Sequence, residues 1–338
     1  MNIKALTRNE RKAFLMSLGE PAYREKQLFQ WISRGVESFE EMLDLPKALR
    51  ERLTQICSFE TLGIAAEQIS SVDGTRKFLL ALPEDSKVEA VFMKYEYGNT
   101  LCLSTQVGCN MDCVFCASGI GGKMRNVNAW ELLDQYLVCR NRAGEPVNHV
   151  VLMGMGEPFD NYKEVAEFLR TIHDPEGVGM SYRNLTVSTC GLVPGILRFG
   201  KDFPQANLAV SLHAATQEER ETLMPVARAY PLPRLMDACR QYTGETGRRI
   251  TFEYALIGGK NDGAGEAHRL AELLRGMLCH VNLIPLNPVD EIGMQGSSRK
   301  QAVRFAGILE DGGIPVSIRR QLGADIAAAC GQLRRNNS

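Results

Sequence analysis

Three cysteines on one short loop constrain this 338-residue chain more than any other feature. Cys109, Cys113 and Cys116 are spaced C-x₃-C-x₂-C, directly after an apolar, strand-like segment at 101–107. Thiolates are the soft ligands that iron–sulfur clusters select. A 4Fe-4S cluster held by three thiolates has one iron left for an outside ligand. The competing reading is a structural zinc site completed by a His or Cys from elsewhere. Zinc ribbons and fingers usually pair C-x₂-C knuckles, and this sequence has no second knuckle. Ligand count and spacing therefore favour the cluster.

Beyond the loop, short apolar segments alternate with helical spacing. Strands are expected at 101–106, 149–153, 184–188, 207–212, 250–255 and 280–285, with a last one at 315–319. Helices are expected between them, as at 129–142, 162–173, 217–224, 232–243 and 264–274. This alternation predicts parallel βα units and an α/β fold, a partial (β/α)₆ barrel. A full eight-unit barrel is the alternative, but the chain has little room for two more units. Residues 1–60 place Leu15, Leu28, Phe29 and Ile32 near helical spacing, punctuated by Pro21 and Pro46. They read as a small helical accessory domain. Residues 61–95 shift to period two and read as a β extension leading into the core. Residues 96–335 form the barrel and a C-terminal segment containing Cys330.

The bulk numbers set aside several classes. No apolar run approaches the roughly 20 residues that span a bilayer. The first residues carry no secretory apolar stretch, so ten cysteines point to a reducing cytoplasm rather than to disulfides. The net charge is −1, so nucleic-acid binding would use local patches such as Arg319-Arg320 and Arg334-Arg335. Such patches are otherwise ordinary solvated surface.

In a barrel of parallel strands, ligands gather at the C-terminal strand ends. The strand at 149–153 runs into Gly154-Met155-Gly156-Glu157-Pro158, where glycines admit close approach and Glu157 can accept from an ammonium group. Other ends present Ser188, then Ser211, Leu212 and His213, then Asn287. Taken singly, Cys102 and Cys330 would be core residues, as Cys57, Cys139, Cys190, Cys239 and Cys279 are expected to be.

The cysteine loop resembles the signature of radical S-adenosylmethionine (SAM) enzymes. The fuller pattern is C-x₆-C-x₃-C-x₂-C from Cys102, then GMGEP, SLH, LNP and GADIAAACGQL. It is similar to the RlmN/Cfr family of radical SAM RNA methyltransferases over nearly the whole chain. The resemblance implies that Cys109, Cys113 and Cys116 hold the 4Fe-4S cluster. It implies SAM contacts at Gly156, Glu157, Ser188, Ser211, Leu212, His213 and Asn287, and two SAM per turnover. One SAM methylates Cys330; a second, cleaved at the cluster, abstracts hydrogen from that methyl group, and the carbon joins an adenine. Cys102 then attacks the Cys330 sulfur and releases the methylated base, leaving a disulfide. Glu89 acts as general base; read without the resemblance, it would be a solvent-facing strand residue. The implied substrates are 23S rRNA and tRNA, with an electron donor of flavodoxin or ferredoxin type. Pro158 favours the branch acting at adenine C2 over the Cfr-like branch acting at C8. A monomer is expected, because one chain carries every implied site residue. The alternative of another class is a zinc-stabilised RNA-binding module.

Overall fold

The helical spacing of the first 60 residues produces three helices in the computed structural model, which describes residues 1–286, 293–320 and 322–326. They are α1 (Arg8–Ser17), α2 (Tyr23–Arg34) and α3 (Lys47–Ile56). A capping box between Thr7 and Glu10 starts α1. Gly35, in the left-handed region at φ 81°, ends α2. Leu28, Phe29 and Ile32 form the buried stripe of α2.

Next comes an antiparallel meander: β1 (Gly63–Ile69), β2 (Arg76–Ala81), β3 (Lys87–Tyr95) and β4 (Gly98–Cys102). A two-stranded ribbon follows, β5 (Gln106–Val107) with β6 (Arg125–Asn126). Strands and helices then alternate as expected. Their order is α4 (Ala129–Ala143), β7 (His149–Leu152), α5 (Tyr162–His173), β8 (Leu185–Thr189), α6 (Val193–Asp202) and β9 (Asn207–Ser211). After these come α7 (Gln217–Leu223), α8 (Val226–Ala229), α9 (Leu232–Thr246), β10 (Ile250–Leu256), α10 (Ala264–Leu274), β11 (Cys279–Pro285), α11 (Arg299–Asp311) and β12 (Val316–Ile318).

The main sheet runs β1-β2-β3-β4-β7-β8-β9-β10-β11-β12, parallel from β4 onward. Every parallel neighbour is reached through at least one helix, which is the partial (β/α)₆ arrangement with β12 as an added edge. Helices cover the strands, so β10 is buried along almost its whole length. Arg319, just past β12, reaches the Met93 sulfur on β3 at 3.9 Å. The two sides of the sheet therefore curl toward each other.

One expected strand is divided. The segment at 101–106 leaves the main sheet after Cys102, because the Gln135 side chain takes over the backbone bonding. Its Oε1 accepts from Ser104 N at 3.1 Å and its Nε2 donates to Ser104 O at 3.0 Å. The chain is thereby turned to meet the loop after β7, where Thr105 N donates to Met155 O.

The N-terminal region is tied to the barrel by a buried ion pair. Lys4 Nζ lies 2.8 Å from Asp134 of α4 and also donates to Thr61 Oγ1 at 3.1 Å. Burial pulls the Lys4 ammonium down and pushes the Asp134 carboxyl up, each opposed by its partner. Removing one member strands the other charge in the interior. Lys4→Ala is therefore expected to cost about 3–5 kcal/mol in denaturant unfolding. A loss below about 1 kcal/mol, the value of an exposed pair, would contradict this.

Candidate active site

The strand ends enclose a cavity of about 290 Å³ that brings together most of the predicted site residues. Cys109, Cys113, Cys116, Gly156, Glu157, Ser188, Ser211 and His213 all line it. Asn287 and Cys330 lie outside the described residues. Leu212 is buried beside the cavity, and its backbone N donates to Glu253 O at 3.0 Å.

The cysteine loop is shaped by its own turns and by α7. Gly108 has φ 82°, and a Cβ there would collide with the Gly122 carbonyl. Cys116 N donates to Cys113 O, and Val114 N donates to Leu223 O on α7, each at 3.0 Å. Phe115 packs edge-on to the His213 ring, centroids 4.7 Å apart. Burial pushes the Cys109 thiol up to about 11 and raises Cys113 as well, so loading iron displaces protons.

The turn after β7 goes beyond expectation in one respect. Its glycines line the cavity and also serve the chain's own close packing. A Cβ on Gly154 would lie 2.6 Å from Leu103 O, and one on Gly156 2.5 Å from the Gln106 Cβ, with Gly156 at φ 99°. Gly156→Ala is expected to cost at least about 1–3 kcal/mol, read as a lowered melting temperature. An unchanged melting temperature would contradict the close fit.

Glu157 is buried, and its carboxylate accepts from Phe159 N (3.0 Å) and Cys190 N (2.7 Å). Burial pushes this carboxyl up, and the two amides pull against it. Two backbone bonds leave acceptor capacity on both oxygens. His213 adopts the left-handed backbone region at φ 59°. Its Nδ1 accepts from Ala255 N at 2.9 Å. Burial, followed by the charge of Arg220, pulls the ring down to about 3, so it is neutral. With Nδ1 accepting, the proton sits on Nε2, which can donate.

Glu89 is not the solvent-facing residue that strand periodicity alone suggests. It is buried on β3 and lies 3.1 Å from Lys77 Nζ on β2, with both side chains at most 1% exposed. Ser104 Oγ donates to Glu89 O at 2.6 Å. Cys102 lies on the adjacent strand β4, paired with Val91 of β3. Burial pushes its thiol up to about 11, and the Arg319 charge opposes this. Neither Glu89 nor Cys102 is on the cavity wall, but Arg319 is, and its charge acts on both Cys102 and Glu253.

Three site residues escaped the sequence reading. Asn261 ties the ends of β9 and β10, donating to His213 O (2.9 Å) and Ala255 O (2.7 Å) and accepting from Ile257 N. Glu253 is a buried cavity carboxylate, pushed up by burial and held by Asn282 Nδ2 at 2.8 Å. Arg220 is fully buried on α7. The only available signals were a carboxylate within the apolar strand sequence TFEYAL and an Asn in the turn GGKND.

The donor set fits the expected cluster. Three thiols face one space, with Cys113 and Cys116 close enough to interact electrostatically. Among the described residues, no three His, Cys, Asp or Glu side chains gather as a single-ion site requires. A cluster instead takes one thiolate per iron.

Comparison with known proteins agrees. The family model for the ribosomal RNA large subunit methyltransferase N-terminal domain matches residues 1–59. The radical SAM superfamily model matches residues 103–271. The "Probable dual-specificity RNA methyltransferase RlmN" of Thermoanaerobacter pseudethanolicus is 48% identical over 335 residues, covering 99% of this chain and 98% of that protein. The protein of the same name from Caldanaerobacter subterraneus is 49% identical over 335 residues, with the same coverage. The crystal structure of a radical SAM methyltransferase from Sphaerobacter thermophilus superposes with a TM-score of 0.93 at 43% identity, covering 98% of each chain. Identity at this level along the whole length, on a matching fold with its cysteine loop in place, shows that the chain belongs to the RlmN family of radical SAM RNA methyltransferases.

Proposed function

We propose that this enzyme methylates C2 of an adenine in 23S rRNA and in the tRNA anticodon loop, using Cys330 as methyl carrier and Cys102 as resolving thiol. One observation carries the reading: Cys102 and Glu89 occupy the adjacent strands β4 and β3, and Cys102 is within reach of the charge of Arg319 on the wall of the cavity that the three loop cysteines line. Adenine C2 has no suitably placed nucleophilic lone pair, so polar methyl transfer from SAM does not serve.

Cys109, Cys113 and Cys116 hold the cluster. When bound, the cluster supplies the electron that cleaves SAM, and SAM also supplies the methyl group. Glu157 accepts from the ammonium end of SAM, and Ser188, Ser211 and the His213 Nε2–H serve its carboxylate and ribose. Gly156, Leu212 and Asn287 complete the contacts.

The remaining steps belong to protein side chains. Glu89, fixed by Lys77, takes the C2 proton. The Cys102 thiolate attacks the Cys330 sulfur; the S–S bond forms as the bond from that sulfur to the methylene carbon breaks, and that carbon takes a proton to become the new methyl group. An external donor of flavodoxin or ferredoxin type restores the dithiol and supplies the cluster's electrons.

Gly323 and Asp325 are tied to the turn between β1 and β2. Gly323 N donates to Asp73 at 2.8 Å, and Asp325 accepts from Ser70 Oγ (2.6 Å), Ser71 N (2.9 Å) and Ser71 Oγ (3.1 Å). Four residues lie between Asp325 and Cys330, and the five steps span at most roughly 17 Å. In this reading the units are residues 1–60, 61–95 and 96–335, working as a monomer.

Peptide mass spectrometry after incubation with SAM alone tests the carrier role. One methyl group on Cys330 is expected. A Cys330 that stays unmodified in protein that nonetheless methylates RNA would overturn it.

A further inference from the structure

Arg220 presents a charge that its surroundings do not balance. It is 0% exposed. Its Nη2 donates to the carbonyls of Cys190 (2.6 Å) and Ser211 (3.3 Å). Its Nε and Nη1 have no hydrogen-bond partner among the described residues. The ionisable groups close enough to act on it are the thiols of Cys190, Cys113 and Cys239, and burial keeps these protonated. A buried guanidinium without an anion is strongly disfavoured, so a fixed anion is expected beside it.

The location narrows the choice of anion. Arg220 is not on the cavity wall. It sits on α7, whose Leu223 carbonyl holds Val114 of the cysteine loop. Leu223, Met224 and Cys190 pack there against Cys113 and Phe115. The negative charge that reaches this pocket is that of the thiolate loop once iron is bound.

We propose that Arg220 is the fixed counter-charge of the cluster at Cys113, placed behind the loop, where it favours the reduced cluster and raises its potential. The inference rests on the reading that the loop cysteines hold a 4Fe-4S cluster. Solvent is excluded around Arg220, so its charge is weakly screened. Adding an electron to the cluster then costs less with the guanidinium present than without it. Arg220 is a positioning residue in this role, since it lies behind the loop and not on the cavity wall.

The test is an EPR-monitored redox titration of reconstituted protein without SAM or RNA. Wild type is compared with Arg220→Met, Arg220→Gln and Arg220→Lys. The neutral variants are expected to shift the one-electron equilibrium toward the oxidised cluster by about tenfold, which is 59 mV. Lysine keeps the charge but loses the planar fork, and its potential is expected to stay near wild type. Gln retains a hydrogen-bond donor and guards against a fold defect peculiar to Met. Equal potentials in all four proteins would overturn the inference, as would equal shifts in Lys and Gln, which would make the role structural. A wild type that binds no four-iron cluster would overturn the cofactor reading first, and this inference with it.

Discussion

Replacing Cys109, Cys113 or Cys116 with alanine is expected to remove the cluster and abolish SAM cleavage and RNA methylation together. The three thiols line one cavity, and each is to serve one iron, so no spare ligand is at hand when one is lost. The expected fall in turnover is to below detection, with loss of the brown colour and of bound iron and sulfide. The loop is also an element of packing: Phe115 rests on His213, and Val114 is bonded to Leu223. The apo protein should nonetheless remain folded, because the main core is built from other residues. Iron analysis together with circular dichroism checks both points. A colourless wild type holding one zinc, with alanine variants that unfold, would instead support a zinc-stabilised RNA-binding module.

The second large effect concerns the two cysteines outside the loop. Cys102→Ala is expected to stop the cycle after the methyl carbon has joined the base. RNA then stays covalently attached to Cys330, approaching one adduct per chain, while released product falls to below detection. Cys330→Ala is expected to give no adduct and no product, with the cluster intact. The contrast between two single-atom losses separates carrier from resolver. Turnover by Cys102→Ala at a rate near wild type would show that another group releases the product. Denaturing gel electrophoresis with labelled RNA reads all these outcomes.

Much of this architecture was legible in the sequence, because strand–helix alternation over 200 residues leaves few topologies. The strand ends carrying Glu157, Ser188, Ser211 and His213 fall where expected, since apolar runs stop where the chain must turn toward the ligand. What was not legible depended on partners distant in sequence. Glu89 and Lys77 each look like exposed strand residues; only the pairing of β2 with β3 buries them against each other. The division of the first barrel strand depends on Gln135, about thirty residues away and on a helix. Gly154 and Gly156 line the cavity, but their close packing on Leu103 and Gln106 was not legible. Arg220 lies in the charged run QEERETL, which reads as solvated surface. No periodicity distinguishes Arg220, the charged residue of this run that faces inward. Asn261 belongs to a loop, where spacing carries no signal.

The most direct test of the account is the position of the new methyl group. Protein reconstituted with iron and sulfide without air would be incubated with SAM, a reductant and hypomethylated 23S rRNA, and the digested nucleosides identified by mass spectrometry. The account predicts adenine methylated at C2, and none when Cys330→Ala replaces the wild type. Methyl at C8 would contradict the proposed acceptor atom, and an intact cluster that cleaves SAM without methylating the RNA would contradict the proposed substrate.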